Sequence, residues 1–220
     1  LRIKSEQRRL ADEEAESDRL LAQRRQAYLK WKDKLDSRRP SEREMETWLN
    51  CDKTIFLDEV LRRYRLAWHD IIAYAFLQTP ADNYSRARVP GGPWRYSRYS
   101  LRLFLITQDG VREVDTELDF ATSSRDGLAR NNYRFDAVSS IQVNETSELA
   151  YTLDITLMNG PTNSFRIVDQ NDFKSTSEEN PTTLSEINLD ASGFGHALHI
   201  LEGIAAKGNW VNRELTPSTT

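Results

Sequence analysis

Leu101-Arg102-Leu103-Phe104-Leu105-Ile106, then Gln108-Asp109-Gly110, then Val111-Arg112-Glu113-Val114-Asp115-Thr116-Glu117-Leu118 is the stretch on which the fold turns. Both arms are rich in β-formers, and the Asp-Gly between them supplies the positive φ of a tight primed turn, so it predicts a β-hairpin. On its N-terminal side, Trp94 to Thr107 is long enough for one extended strand. Before it come Tyr84 to Val89 and a turn at Pro90-Gly91-Gly92-Pro93. Earlier still, Ile71-Ile72-Ala73-Tyr74-Ala75-Phe76-Leu77 suits a buried strand, or a last helical turn, stopped by Thr79-Pro80. On the C-terminal side a polar loop is expected around Ser123 to Arg130, then one strand over Tyr133 to Val143. Tyr151 to Met158 and Ser164 to Val168 read as a second hairpin across Asn159-Gly160-Pro161.

Helical sequence flanks these strands. From Leu1 to Arg39 about half the positions are charged and neither Gly nor Pro occurs, which predicts a charged helical arm over 1–39. Ile3, Leu10, Leu21, Tyr28, Trp31 and Leu35 fall on a loose heptad, with Leu21, Tyr28, Trp31 and Leu35 its cleaner end. Two readings follow for the arm: a solvated helix docking its last turns on the domain, or a self-associating coiled coil. Ser41 and Glu44 have capping-box spacing, so an amphipathic helical segment is expected over 41–68, with a break or recap at Asn50 or Asp52. Gln170 to Asn188, acidic and interrupted by Pro181, is expected to be a long exposed loop. Phe194, Leu198, Leu201, Ile204 and Ala205 stripe a closing helix from about Asp190 to Lys207, stopped by Gly208 and followed by Trp210 and a mobile tail over 211–220.

The chain of 220 residues carries 29% charged and 38% hydrophobic residues and a formal net charge of -4, which argues against whole-surface nucleic-acid binding. Its single cysteine, Cys51, can form no intrachain disulfide and is read as buried or inert, in keeping with a reducing cytoplasm. No run approaches the ~20 apolar residues of a membrane-spanning helix. The chain begins with Leu1 and enters helical sequence at once, as expected of a piece of a longer or processed protein.

Tyr133-Arg134-Phe135-Asp136-Ala137-Val138-Ser139-Ser140-Ile141-Gln142-Val143 resembles a strand of the bacterial pleckstrin-homology-like domains, where an aromatic and a β-branched residue precede a Val-rich ending. Leu153-Asp154-Ile155-Thr156-Leu157-Met158-Asn159-Gly160 resembles the next hairpin of that family. The resemblance covers 70–210 and implies an α+β domain, an antiparallel barrel or sheet of about six or seven strands closed by a C-terminal helix. It also implies a binding module for peptides, proteins or lipid headgroups, without catalysis.

One constellation carries chemistry. Tyr84, Arg86, Arg88, Trp94, Arg95, Tyr96, Arg98, Tyr99 and Arg102 interleave arginines with aromatics across the Pro-Gly-Gly-Pro turn. If Arg86, Arg88, Arg95 and Arg98 converge beside Trp94, they make a site for phosphate or carboxylate, with an indole anchor for a bilayer interface. The alternative is a half-exposed face whose arginines pair with the abundant acids. His196 and His199 lie at i and i+3 on the terminal helix and are weak metal candidates without an obvious third ligand; His69 reads as structural. There is no Gly-x-Ser-x-Gly elbow and no phosphate-cradling loop before a helix, and no cofactor is expected. The expectation is a cytoplasmic, non-catalytic scaffold or adaptor that binds a protein partner and has the arm for oligomerisation or docking. Peripheral recruitment to an anionic membrane surface is the alternative, and an unrecognised hydrolase is the third reading.

Overall fold

The computed structural model describes residues 8, 11–12, 15–16, 18–20, 22–23, 26, 41–120, 122, 124–147, 150–167 and 180–207. The fold is α+β with antiparallel sheets. The described residues between 8 and 26 are helical. Leu21, Tyr28, Trp31 and Leu35, the cleaner end of the heptad, lie outside the described residues, as do Gly208, Trp210 and the tail.

Helix α1 (Glu42–Tyr64) begins at the capping box: Ser41 Oγ accepts from the Glu44 N–H, and the Ser41 N–H donates to Glu44 Oε2 at 2.9 Å. It runs through Asn50 and Asp52 without the expected break. Leu49, Ile55, Phe56, Val60 and Leu61 are buried along it, and that packing outweighs the weak helix preference of Asn and Asp. Arg65 ends it at φ 55, and its N–H and that of Leu66 take up the carbonyls of Arg62 and Leu61.

The strands are β1 (Ala73–Pro80), β2 (Arg86–Ala87), β3 (Arg95–Tyr96), β4 (Arg98–Thr107), β5 (Gly110–Asp119), β6 (Ser124–Tyr133), β7 (Val138–Ser147), β8 (Ala150–Leu157) and β9 (Thr162–Arg166). They form a four-stranded sheet in the order β1-β4-β5-β6, a ribbon of β2 and β3, and a three-stranded sheet β7-β8-β9. The expected barrel is therefore corrected: among the described residues three separate sheets form and no closed barrel does. Helices α2 (Pro181–Ala191) and α3 (Phe194–Lys207) follow.

Alternation along β4 organises the core. Leu101, Leu103 and Leu105 face α1, where they meet Leu49, Phe56, Leu57, Val60 and Leu61. Phe104 and Ile106 face the other way, with Val111 of β5, toward Ala197, Ile200, Leu201 and Ile204 of α3 and toward Leu153, Ile155 and Phe165 of the three-stranded sheet. The four-stranded sheet is thus the middle layer. From Leu103 to Ile106, β4 is apolar and buried on both faces. No helix among the described residues is long and apolar enough to cross a membrane.

Several boundaries differ from the sequence reading. The single strand expected over Trp94 to Thr107 is interrupted at Ser97, whose N–H donates to Ser85 O while its carbonyl accepts from Phe120, so the chain changes partners there. The polar loop expected at 123–130 is edge strand β6 from Ser124 onward, whose polar side chains suit a position paired on one side. The strand expected over Tyr133 to Val143 is divided by a 3-10 turn, Phe135–Ala137, so Tyr133 ends one sheet and Val138 begins another. Pro181 begins α2 instead of marking a loop: Asn180 Oδ1 caps Thr182, and a first-turn proline gives up no helical hydrogen bond. The expected terminal helix is split at Ser192-Gly193, where Gln78 of β1 donates its N–H to Ser192 O.

Candidate functional site

The arginine and aromatic positions share the region where α1 begins. Arg86 of β2 and Arg88 just beyond it both stack on Trp94, their guanidinium carbons 4.3 and 5.3 Å from the ring. The backbone N–H of Trp94 donates to Asn188 Oδ1 on α2 at 2.9 Å, which ties the ribbon down on the C-terminal helices. Tyr84, Tyr96, Tyr99 and Phe120 continue the group as successive edge-to-face contacts.

Arg95 and Arg98 do not join this stack. Arg95 reaches α1, where Nε donates to Glu42 Oε1 at 2.7 Å and Nη2 bonds the same oxygen. Burial opposes its charge, and the Glu42 carboxylate and Tyr99 more than restore it, so its pKa rises. Lys53 shows the opposite result, lowered first by burial and then by Arg95. Arg98 donates to Glu117 Oε2 at 2.9 Å and lies 3.8 Å from Asp119 Oδ2. Of the four arginines proposed to converge, two stack on the indole and two are held by carboxylates. A void of about 20 Å³, lined in part by Trp94, Arg95, Tyr99, Asn188 and Gln78, has room for about one water.

Arg102, the last arginine of the series, turns to the opposite face of the sheet. Its Nε lies 3.2 Å from Glu113 Oε1 and 2.5 Å from Asp115 Oδ1, and its guanidinium carbon sits 3.7 Å from the Phe165 ring centroid. Glu113 is 3% exposed, and burial pushes its pKa up to about 7 against the pull of Arg102. The Tyr133 hydroxyl beside it is also pushed upward, by burial first and by Glu113 second. Arg102, Glu113, Asp115 and Tyr133 therefore form a charged cluster clamped between two sheets, with Phe165 over Arg102. With Glu113 buried and Arg102 held between two carboxylates, this cluster bears on stability.

No sequence motif marks this cluster, although its signal is in the hairpin. Once the turn pairs Thr107 with Gly110, register alone sets Arg102 opposite Asp115 and Phe104 opposite Glu113. A second group was also missed. Arg112 and Arg130 lie over the Tyr64 ring at the far end of α1, 4.9 and 5.9 Å from its centroid. The Tyr64 hydroxyl donates to Asn132 Oδ1 at 3.2 Å. No sequence spacing links 64, 112, 130 and 132; the β5–β6 register does, by placing Arg112 opposite Asn132.

The histidines stay apart in chemistry. His196 Nε2 lies 3.2 Å from the Tyr74 carbonyl, His199 is exposed, and His69 is exposed beside Asp70 at 3.5 Å. No group of three or more His, Cys, Asp or Glu among the described residues is placed to hold a metal. Cys51 is half-buried on α1. Comparison with protein-family models, with curated proteins and with solved structures gave no match.

Proposed function

We propose that this chain is a non-catalytic scaffold or adaptor that binds an acidic protein segment on its β2–β3 ribbon and uses the helical arm for oligomerisation or docking. The observation that carries the reading is the pair of guanidiniums stacked on half-exposed Trp94. Tryptophan and arginine dominate protein-binding hot spots because a flat ring beside a charged fork combines apolar burial with directional hydrogen bonding. Val89, 41% exposed at the end of the ribbon, adds apolar surface. The finer assignment, a pleckstrin-homology-like domain, rests on the run of antiparallel strands followed by a helix and on the local resemblance at 153–160.

Membrane recruitment is less well supported by the same geometry. Polybasic membrane segments gather about four to eight cations, whereas Arg95 and Arg98 are already engaged by Glu42, Glu117 and Asp119. The test is an array of acidic peptides probed with the full chain and with Trp94→Ala, alongside flotation with phosphatidylserine vesicles. Peptides retained by the wild type and lost by the variant support the proposal. Equal retention by both overturns it, and Trp94-dependent flotation without peptide binding replaces it with the membrane reading. Light scattering of the full chain and of one starting at Ser41 tests the arm: a mass that falls to the monomer on truncation supports assembly, and two monomers restrict it to docking.

A further inference from the structure

The far end of α1 carries a group of donors with no use in the proposed peptide surface. Helix α1 is 23 residues long, so Tyr64 in its last turn lies roughly 33 Å from Glu42 and the Trp94 region. Arg112 and Asn132 are directly opposite on β5 and β6, and Arg130 is the diagonal neighbour of Arg112 on the same face. Both guanidiniums pack on one phenol ring. Among the described residues neither has a carboxylate partner, which sets them apart from Arg95, Arg98, Arg102, Arg125 and Arg134.

Two further observations point outward to a ligand. Arg112 Nε is buried and has no acceptor among the described residues, and a buried charged donor without an acceptor is costly. Asn132 uses its carbonyl oxygen to accept from Tyr64, which fixes its amide as a donor. Arg112 and Asn132 also line an open cleft of about 180 Å³ beside the β4–β5 turn, with Thr107, Asp109, Gly110 and Arg134 among the other walls and Arg130 adjoining it through the shared Tyr64 ring. That volume is several times the ~30 Å³ share of one liquid water. Asp109 supplies one carboxylate to the cleft, and Arg134 is already paired with Asp136 at 2.9 Å. The carbonyls at the end of α1 would repel an anion, but those of Leu61 and Arg62 accept from Leu66 and Arg65.

We propose that Arg112, Arg130 and the Asn132 amide form an oxyanion site for a phosphate group on the β5–β6 pair, at the edge of this cleft. Two guanidinium forks and an amide can address the three oxygens of a phosphomonoester, where a carboxylate would leave donors unused. The phosphate belongs to a soluble phosphomonoester or to a lipid headgroup, and the chemistry of the site is the same for both.

The experiment is a titration of the ¹⁵N-labelled full chain with inorganic phosphate to about 50 mM at constant ionic strength, followed through the backbone amides. The expected result is saturable shifts at Arg112 and Asn132, about tenfold weaker in Arg130→Gln and lost in Arg112→Gln. Arg130 is exposed, so its variant reads the site even if Arg112→Gln fails to fold. Arg43→Ala, exposed at the opposite end of α1 and in neither surface, leaves the titration unchanged. A response linear to the end of the titration, or equal in wild type and Arg130→Gln, overturns the proposal. In a second arm, phosphatidylcholine vesicles containing phosphatidic acid identify the source: flotation lost in Arg130→Gln assigns a headgroup. Phosphate saturation without flotation assigns a soluble ligand.

Discussion

Replacing Glu113 by glutamine should change how stability depends on pH more than it changes stability itself. In the folded chain Glu113 lies opposite Phe104 in the register and is buried, and its pKa rises from 4.5 to about 7. The native state therefore holds this proton more tightly than the unfolded chain does. The extra stability is complete below the unfolded value near 4.5 and is lost as pH rises through about 7. Each tenfold in proton affinity is worth about 1.4 kcal/mol, so between pH 5 and 8 the group removes roughly 2.5 kcal/mol. Tyr133, pushed upward by burial, stays protonated across this range. Urea unfolding followed by tryptophan fluorescence at pH 5, 6, 7 and 8 measures the effect, with the other titrating groups common to both proteins. Stability of Glu113→Gln relative to wild type should rise by roughly 2.5 kcal/mol from pH 5 to pH 8. Parallel profiles, or a relative change of the opposite sign, would refute the buried-carboxyl account.

Three further outcomes follow from particular contacts. Ser41→Ala removes the Oγ half of the capping box, the Ser41 N–H still reaching Glu44, and should cost about 1 kcal/mol in urea unfolding. Gly193→Ala places a Cβ 2.4 Å from Phe76 O at φ +75, so the α2–α3 turn must leave β1; a loss of more than about 1 kcal/mol is expected, read as a lower Tm. Phe104→Ala opens a cavity at a fully buried position and should cost about 3–5 kcal/mol by the same urea assay, whereas a change within about 0.5 kcal/mol would contradict the middle-layer placement of β4.

The parts of the fold legible in advance are those written locally. Asp109-Gly110 between two β-rich arms marks the β4–β5 hairpin, but the turn is not the expected primed one: Gln108 and Asp109 form it without positive φ, and Gly110 opens β5 at φ 144, where a Cβ would lie 2.4 Å from Tyr133 O. Asn159-Gly160 gives the second hairpin, between β8 and β9. The failures were also local readings, overruled from a distance. β6 looks like a loop because an edge strand with one exposed face needs few apolar residues. Tyr133 to Val143 looks like one strand because alternation is continuous there, yet Tyr133 and Val138 belong to different sheets.

The candidate site divides in the same way. Arg86, Arg88 and Trp94 were legible because they are close in sequence on a short ribbon. That Arg95 is neutralised by Glu42 was not, since 53 residues separate them. Sequence by itself determined the α+β class, the hairpins and the start of α1, because turn geometry and capping are satisfied within a few residues of the position that demands them. Tertiary structure alone decided the sheet order, the two-sided burial of β4, and which arginines meet acids, an indole or an open cleft. Those outcomes depend on which segments are brought side by side, and no period or motif in a single strand records the neighbour that packing will supply.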